Sequence, residues 1–224
     1  MGSGDIDNVN RANNKASILG IDVTSTDLNE VLKIISKRCL VTGKRRPFLV
    51  VTVNQEFVML AQHDQEFKKI LNSADLAIPD GAGLRIARPG LAIVPGRKLV
   101  ESLIQKRYRM FYLGGKDEVA RTMASKYGGQ YDSGEVDIKN PIRNSRIIAK
   151  INKYGPDILL VAYGAPWQEK WLFANLSSLN SKVVMGVGGT FDYLSGRIKR
   201  APLFLSRNST PRPTNIQRLG IIKI

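Results

Sequence analysis

The apolar residues of this chain fall into two alternating patterns. Continuous, largely β-branched runs such as PFLVVTVN, PDILLVAYG and KVVMGV are typical of parallel strands that are covered on both faces. Between such runs, LNEVLKIISKRCL and IRNSRIIAKINKYG repeat apolar residues every three or four positions, which predicts helices with one buried face. This alternation indicates an α/β fold with a mostly parallel, Rossmann-like sheet and helices on both faces.

The same pattern divides the chain into three parts. Residues 1–15 form a polar leader that we predict to be disordered. Residues 16–202 contain two βα halves, about 16–105 and 106–202, which we expect to form one compact domain. Residues 203–224 combine prolines with interleaved apolar and basic residues, which indicates a tail and not a core element. The tail is either a segment that lies on an anionic membrane surface, which the interleaving favours, or an unstructured end.

Polar residues predict where several helices begin. Thr26 or Asp27 precedes LNEVLKIISKRCL and is expected to cap that helix with a side-chain oxygen. The segment after PFLVVTVN predicts two helices that break near Asp64, and Thr190 is expected to cap the helix that follows the last strand. Ahead of all these helices, SILGIDVTS predicts a short strand pair, or a strand and a turn.

Composition limits the chemistry. Cys39 and His63 are the only cysteine and histidine among 224 residues. This excludes a disulfide framework, a Cys/His zinc cluster, and any nucleophile pair with histidine that is not built on His63, which we expect to be a surface residue. Because no apolar run reaches the ~20 residues that span a bilayer, and the leader lacks a signal-peptide core, we expect a cytoplasmic protein.

The charge of the chain is strongly positive. Lys and Arg total 34 residues against 19 Asp and Glu, a formal net charge of +15 at pH 7. Such a charge favours anionic partners, and nucleic acid, an anionic membrane surface and phosphorylated substrates all fit it. The cations concentrate outside the predicted strands, from Lys44 to Arg46 and from Arg197 to Lys223.

Polar groups and glycines gather at the carboxyl ends of the predicted strands, where open α/β sheets bind ligands. Thr52 and Asn54 end one strand, and Asp80 ends the next. After the last strand, the glycines of residues 186–189 form a loop that suits a phosphate-bearing ligand. The loop alone is weak evidence, because such turns are common and Phe191 occupies the last glycine position of G-x-G-x-x-G.

Five segments together carry a family resemblance. They are, in order, TVNQEFV, ADLAIPDGAGL, FYLGG, PDILLVAYGAPWQEKW and GVGGTFDYLSGRIKRAP. From roughly Ser17 to Pro202, the chain resembles the WecG/TagA/CpsF family of bacterial glycosyltransferases. The resemblance implies inverting, metal-independent transfer of an N-acetylmannosamine-type sugar from a UDP-sugar donor to an undecaprenyl-diphosphate-linked sugar. It also implies a role in teichoic acid or other cell-surface polysaccharide synthesis, peripheral attachment to the cytoplasmic membrane, and a possible trimer.

The resemblance assigns Asp80 as the general base, with Thr52 and Asn54 beside it; alone, Asp80 before glycine is an ordinary turn residue. Residues expected to bind the UDP-sugar are Gly114, Gly115, Gln168, Glu169, Gly188, Gly189 and Asp192. Those expected to meet the acceptor diphosphate or the membrane are Arg197, Arg200, Arg207, Arg212 and Arg218. Stabilisation of helix ends is the ordinary alternative for Glu169 and Asp192. No metal or other cofactor is expected.

The chain departs from the family pattern where Ile93 and Lys98 replace an arginine and an aspartate, and in its C-terminal tail, so the sugar and the membrane contact stay open. Asp5 and Asp7 spell D-x-D, which we discount as a metal site because it lies in the leader. The alternatives are a dinucleotide-binding oxidoreductase and a basic nucleic-acid-binding module. We do not expect a nucleic-acid partner, because no aromatic stacking platform or basic recognition helix is evident.

Overall fold

The computed structural model describes residues 15–43, 45–116, 118–134 and 141–198, with the backbone alone for residues 141–143. The predictions for Lys44, for Asp5 and Asp7, and for the tail therefore lie outside the described residues. The site residues concerned are Arg200, which precedes the tail, and Arg207, Arg212 and Arg218 within it.

Eight strands, nine α-helices and one 3₁₀ helix (Leu176–Ser178) are present among the described residues. The strands are β1 (Lys15–Ile18), β2 (Ile21–Thr24), β3 (Phe48–Val53), β4 (Leu76–Pro79), β5 (Met110–Gly114), β6 (Gln130–Asp132), β7 (Ile158–Ala162) and β8 (Val183–Gly186). The helices are α1 (Leu28–Leu40), α2 (Gln55–His63), α3 (Gln65–Asn72), α4 (Leu84–Ala87), α5 (Gly96–Ile104), α6 (Val119–Tyr127), α7 (Pro141–Tyr154), α8 (Trp167–Asn175) and α9 (Thr190–Ser195).

Six of the strands form one parallel sheet in the order β4-β3-β8-β7-β5-β6. The strands β1 and β2 form a separate antiparallel hairpin, which confirms the predicted strand pair. Because β8 lies between β3 and β7, the last strand joins the strands of the first predicted half to those of the second. The predicted Rossmann-like α/β architecture is confirmed.

Helices cover both faces of this sheet. Alternate residues of β3 enter opposite layers, since Leu49 and Val51 pack on one side and Phe48 and Val50 on the other. The first layer contains α2, α3, α7 and α8, and the second contains α1, α5, α6 and α9. Burial on both faces explains why the strands read as continuous apolar runs in the sequence.

Side-chain caps fix the beginnings of three helices. Asp27, not Thr26, caps α1, where its Oδ1 accepts a hydrogen bond from the Glu30 amide at 3.0 Å. Asn54 caps α2 by accepting from the Phe57 amide at 2.9 Å. Asp64 caps α3 in the same way and produces the predicted break after α2. Each cap satisfies an amide that has no partner within its own helix.

The predicted cap at Thr190 is wrong. Thr190 is the first residue of α9, and Gly189 occupies the capping position. Glycine has no side chain that could accept a hydrogen bond, so α9 begins without a side-chain cap. The prediction for His63 is confirmed, because this residue ends α2 and is exposed.

The strand order creates a crevice between β3 and β8. The chain leaves β3 through α2, which covers the first face, and leaves β8 through α9, which covers the second. Neighbouring parallel strands whose connections diverge in this way leave an opening at their carboxyl ends, where ligands bind in open α/β sheets. The fold therefore places the loops after β3 and β8 on opposite sides of one opening.

Asp64 also links α3 to α8, so its substitution tests whether this contact stabilises the first layer of helices. Its carboxylate lies 2.8 Å from the Lys170 ammonium of α8, which lies 2.7 Å from Glu66 as well. Burial opposes ionisation of Asp64, but hydrogen bonds from Lys170 and the Phe67 amide outweigh it and hold the pKa of this carboxyl below its usual value. Ionised Asp64 thus stabilises the fold above about pH 4, and this stabilisation is lost as the pH falls through the folded-state pKa.

We expect Asp64→Ala to lower the free energy of unfolding by about 1–2 kcal/mol, because both the cap and the ion pair are removed. Asp64→Asn keeps an acceptor oxygen for the cap, so its free energy of unfolding should fall by less. Its difference from the unmodified chain should shrink below about pH 4, where Asp64 itself becomes protonated. Urea denaturation at several pH values measures both, with the exposed Asp22→Asn as the control. If Asp64→Ala is as stable as the unmodified chain, neither contact stabilises the layer.

Candidate functional site

A cavity of about 640 Å³ opens at the carboxyl edge of the sheet, and we call it the carboxyl-edge cavity. It is formed by the loops after β3, β4, β7 and β8 together with the first turns of α2 and α5. Six residues that the sequence singled out line it: Thr52, Asn54, Asp80, Gln168, Gly188 and Gly189. The fold thus brings together residues from both predicted halves of the chain.

Thr52 and Asp80 lie side by side against the start of α5. The Asp80 amide donates to the Val53 carbonyl at 2.7 Å, which extends the pairing of β3 with β4. A Cβ atom on Gly96 would lie 3.0 Å from Asp80 Oδ2 and 3.2 Å from Thr52 Cγ2. A side chain at this position would crowd the pair, so glycine suits the close approach of the helix.

The electrostatic surroundings of Asp80 suit proton transfer. Burial disfavours the charged form and raises the pKa of the Asp80 carboxyl, although a hydrogen bond from the Gly96 amide partly opposes this. A carboxylate that is partly desolvated and faces a cavity binds a proton more readily than one in water. Asp80 can therefore act as a base toward a hydroxyl group held next to it.

Asn54 has a structural task as well as a place in the cavity. Its Oδ1 accepts the hydrogen bond from the Phe57 amide that caps α2. The amide nitrogen of its side chain is the group that it can offer as a donor to a ligand. Asn54 thus couples the start of α2 to the wall of the cavity.

Gln168, in the first turn of α8, joins two loops of the cavity. Its Oε1 accepts hydrogen bonds from the Gly164 amide at 3.2 Å and from the Gly188 amide at 2.9 Å. Gln168 is only 2 % exposed, so these bonds are shielded from water. They fix the loop after β8 against the loop after β7. They also engage the Gly188 amide that the sequence suggested for a phosphate, and that role stays a prediction.

Glu169 lies beneath the glycine loop and does not line the cavity. Its Oε1 accepts from Gln168 Nε2 at 2.7 Å, and a Cβ atom on Gly186 would clash with its carboxyl group. Burial raises the pKa of Glu169 to about 8, and its Oε2 has no hydrogen-bond partner among the described residues. Near neutral pH this carboxyl is therefore mostly protonated, and its contact orients Gln168.

Besides Glu169, four predicted residues lie outside the lining of the carboxyl-edge cavity: Gly114, Gly115, Asp192 and Arg197. Gly114 adopts a positive φ and lies close to the Tyr163 ring, while the Gly115 amide donates to the Ala162 carbonyl at 3.0 Å. Asp192 forms an ion pair of 2.9 Å with Arg197. For Asp192 this contact favours the alternative of a helix anchor. The ligand-binding roles of these residues gain no support from their positions and stay predictions.

Two cations in the cavity were missed at the sequence level. Arg97 and Lys98 follow Pro95 and Gly96 at the start of α5, and both line the cavity. The Arg97 guanidinium lies 3.3 Å from Glu101 and 5.9 Å from the centre of the Tyr193 ring. The sequence signal that could have revealed them is a basic pair that directly follows Pro-Gly at the predicted start of a helix. At the sequence level, Lys98 stands out only as a departure from the family pattern.

No group of three Cys, His, Asp or Glu side chains arranged to hold a metal ion occurs within the described residues. The expectation that the reaction needs no metal stays a prediction. The groups that could meet an anionic ligand in the carboxyl-edge cavity are the side chains of Arg97 and Lys98.

Comparison with known proteins gives a consistent result. Residues 16–210 match the family model described as "Glycosyl transferase WecG/TagA/CpsF family". An N-acetylglucosaminyldiphosphoundecaprenol N-acetyl-beta-D-mannosaminyltransferase of Staphylococcus aureus strain MRSA252 is 28% identical over 206 residues, which cover 84% of this chain and 78% of that protein. The protein of the same name from strain NCTC 8325 / PS 47 is 27% identical with the same coverage. The resemblance carried by the sequence motifs is confirmed, and neither alternative class gains support.

The buried carboxyl of Glu169 leads to a prediction about stability and pH. The folded state keeps its proton up to about pH 8, whereas the unfolded chain releases it near pH 4. The stability that this protonated group contributes is therefore complete below about pH 4 and is lost as the pH rises towards 8. Glutamine has no proton to lose. We expect Glu169→Gln to gain about 1 kcal/mol or more relative to the unmodified chain between pH 5 and pH 8.

Urea unfolding at pH 5, 6.5 and 8 measures this difference. Glu118→Gln, which changes a carboxylate that is 61% exposed, is the matched control and should show no such trend. A difference between Glu169→Gln and the unmodified chain that stays constant with pH would contradict a raised pKa at this position.

Proposed function

Because the chain belongs to the WecG/TagA/CpsF family of glycosyltransferases, we propose that it transfers an N-acetylmannosamine-type sugar from a UDP donor to an undecaprenyl-diphosphate-linked sugar, with inversion. The S. aureus relatives are named as N-acetyl-beta-D-mannosaminyltransferases of N-acetylglucosaminyldiphosphoundecaprenol. The product would enter teichoic acid or another cell-surface polysaccharide. The observation that carries this proposal is the position of Asp80 and Thr52 in the same cavity as the loop held by Gln168.

The donor would occupy the side of the cavity formed by the loops after β7 and β8. A volume of about 640 Å³ lies within the range of pockets that bind small molecules. Arg97 and Lys98 would face the diphosphate, where negative charge grows as the bond to the sugar breaks. Fixed cations that meet developing charge are an effective source of rate enhancement. This arrangement supports a leaving group stabilised by protein side chains.

The acceptor hydroxyl would approach from the side of Thr52, Asn54 and Asp80. Its oxygen forms the new bond to the anomeric carbon while the bond from that carbon to UDP breaks. The hydroxyl proton passes to the Asp80 carboxylate, and UDP leaves with the bonding electron pair. Attack on the face opposite UDP inverts the anomeric configuration. The glycine loop and Gln168 would hold the donor in line for this attack.

Attachment to the membrane would involve the tail. No described helix has both the length and the apolar character that crossing a bilayer requires. We propose peripheral association at the cytoplasmic membrane face through basic residues of the tail, because a net charge of +15 is attracted to anionic lipid. Arg197, at the base of this segment, is paired with Asp192. The trimer implied by the family resemblance stays a prediction.

Asp80→Asn tests the general base. We expect turnover to fall by about 10²–10⁴-fold, because the amide cannot take the acceptor proton, while the affinity for UDP stays near that of the unmodified chain. Turnover is measured as UDP release from a panel of UDP-sugars with a synthetic lipid-diphosphate-sugar acceptor, and UDP affinity by calorimetry. For the unmodified chain, the acid limb of kcat/KM should lie above the ordinary aspartate pKa of about 3.9.

Asp22→Asn is the control, since it removes an exposed carboxylate from β2 without touching the cavity. Retained turnover in Asp80→Asn, or an equal loss of turnover and UDP binding, would exclude Asp80 as the base. No UDP release by the unmodified chain with any donor would contradict the proposed reaction with this acceptor.

Arg97→Ala and Lys98→Ala test the cationic side of the cavity. Each should weaken UDP binding about tenfold, because a charge-assisted contact to the diphosphate is lost. Lys106→Ala removes an equal charge from an exposed position outside the cavity and should bind UDP normally. If all three variants bind UDP equally well, the diphosphate lies elsewhere. Stabilisation of the protein by NAD but not by UDP in a thermal-shift comparison would favour the oxidoreductase alternative.

A further inference from the structure

A second cavity, of about 400 Å³, lies at the opposite, amino edge of the sheet, and we call it the amino-edge cavity. It is formed by the end of α1, the segment that leads into β3, and the residues just before β5, β7 and β8. Five cationic residues line it: Arg38, Arg45, Arg46, Arg109 and Lys182. This cavity shares no lining residue with the carboxyl-edge cavity. The strands β5 and β7 each have five residues, so the two edges of the sheet lie roughly 15 Å apart.

Two of these five cations are balanced by carboxylates. Arg46 donates two hydrogen bonds to Asp75, at 3.0 and 2.8 Å. Lys182 lies 2.9 Å from Asp157. The side chains of Arg38, Arg45 and Arg109 form no ion pair with a carboxylate among the described residues. Three positive charges thus remain around one small cavity, an arrangement that attracts an anion of high charge density.

Aromatic rings hold two of the remaining arginines in place. The guanidinium carbon of Arg38 lies 4.8 Å from the centre of the Phe48 ring, and that of Arg109 lies 4.8 Å from the centre of the Tyr154 ring. Stacking uses the face of a guanidinium and leaves N–H groups at its edge for an oxyanion. One N–H group of Arg109 donates a hydrogen bond to the Tyr154 carbonyl. Because the groups are already ordered, binding an anion would cost little further side-chain entropy.

Ser181 provides an independent indication of a ligand. This residue lines the amino-edge cavity beside Lys182 and is only 4% exposed. Its hydroxyl oxygen is buried and has no hydrogen-bond partner among the described residues. Buried hydroxyl groups in folded proteins normally have a partner. An oxyanion oxygen in the cavity would accept a hydrogen bond from this hydroxyl and satisfy it.

We propose that the amino-edge cavity binds a phosphate group, carried either by a soluble phosphorylated molecule or by a phospholipid headgroup. Guanidinium groups match the geometry of phosphate oxygens, and the hydroxyl of Ser181 adds a donor. A neighbouring cavity of about 780 Å³ shares Gly43, Arg45, Arg46 and Asn180 with it and leaves room for the rest of such a molecule. This site is independent of the glycosyl transfer proposed at the other edge.

The test uses the full chain and inorganic phosphate as the probe. Arg45→Ala changes an exposed side chain and should leave the fold intact, and Arg45→Ala/Arg109→Ala removes two of the three unbalanced charges. We expect calorimetry at low salt to show phosphate binding weakened about tenfold in the double variant and by a smaller factor in Arg45→Ala. Arg121→Ala removes one charge from a side chain that is 66% exposed on α6 and should bind phosphate normally.

Two outcomes would overturn the proposal. The first is that Arg45→Ala and the double variant both bind phosphate and vesicles as well as the unmodified chain. The second is that Arg121→Ala loses as much phosphate binding as the cavity variants, which would mean a general effect of charge. Cosedimentation with phosphatidylglycerol vesicles, scored against Arg121→Ala, identifies the source of the phosphate. Vesicle binding lost in the double variant supports a lipid headgroup, whereas retained vesicle binding with weakened phosphate binding supports a soluble ligand.

Discussion

The carboxyl-edge cavity depends on the parallel pairing of β3 with β8. Phe48 aligns with Val183 and Val50 with Met185, so the two strands end beside each other. One strand continues to the first layer of helices and the other to the second, which opens a crevice between their loops. Without this pairing, Thr52 and Asp80 would not share a cavity with the glycine loop, because these segments are far apart in the chain.

A small buried polar group gives that cavity its shape. Gln168 Oε1 holds the Gly164 and Gly188 amides together, and Glu169 holds the Gln168 side chain by its amide nitrogen. Burial keeps Glu169 mostly protonated near neutral pH, so the group places no full negative charge under the site that is proposed to bind a diphosphate. A loop that is fixed in this way loses little further entropy when a substrate is positioned against it.

The excess of basic residues acts at more than one place. Arg97 and Lys98 lie at the carboxyl edge of the sheet, and an unbalanced group of arginines lies at the amino edge. The carboxylates near the two cavities have different surroundings. Burial and a hydrogen bond from the Gly96 amide set the pKa of Asp80 at the carboxyl edge. Asp75 and Asp157, at the amino edge, form ion pairs with Arg46 and Lys182. The proposed base and the proposed diphosphate site thus share the carboxyl edge, whereas the proposed phosphate site lies at the amino edge.

The main apolar strands, the starts of α1 and α3 and the polar residues at several strand ends could be predicted from the sequence. These features depend on neighbouring residues, such as the cap of Asp64 on the Phe67 amide or the apolar run of β3. Tertiary structure alone decided that β8 lies between β3 and β7, that Arg97 faces the cavity, and that Gln168 engages the Gly188 amide. These features could not be predicted because they arise when distant segments compete to bury apolar faces and satisfy polar groups, and no local pattern records the outcome.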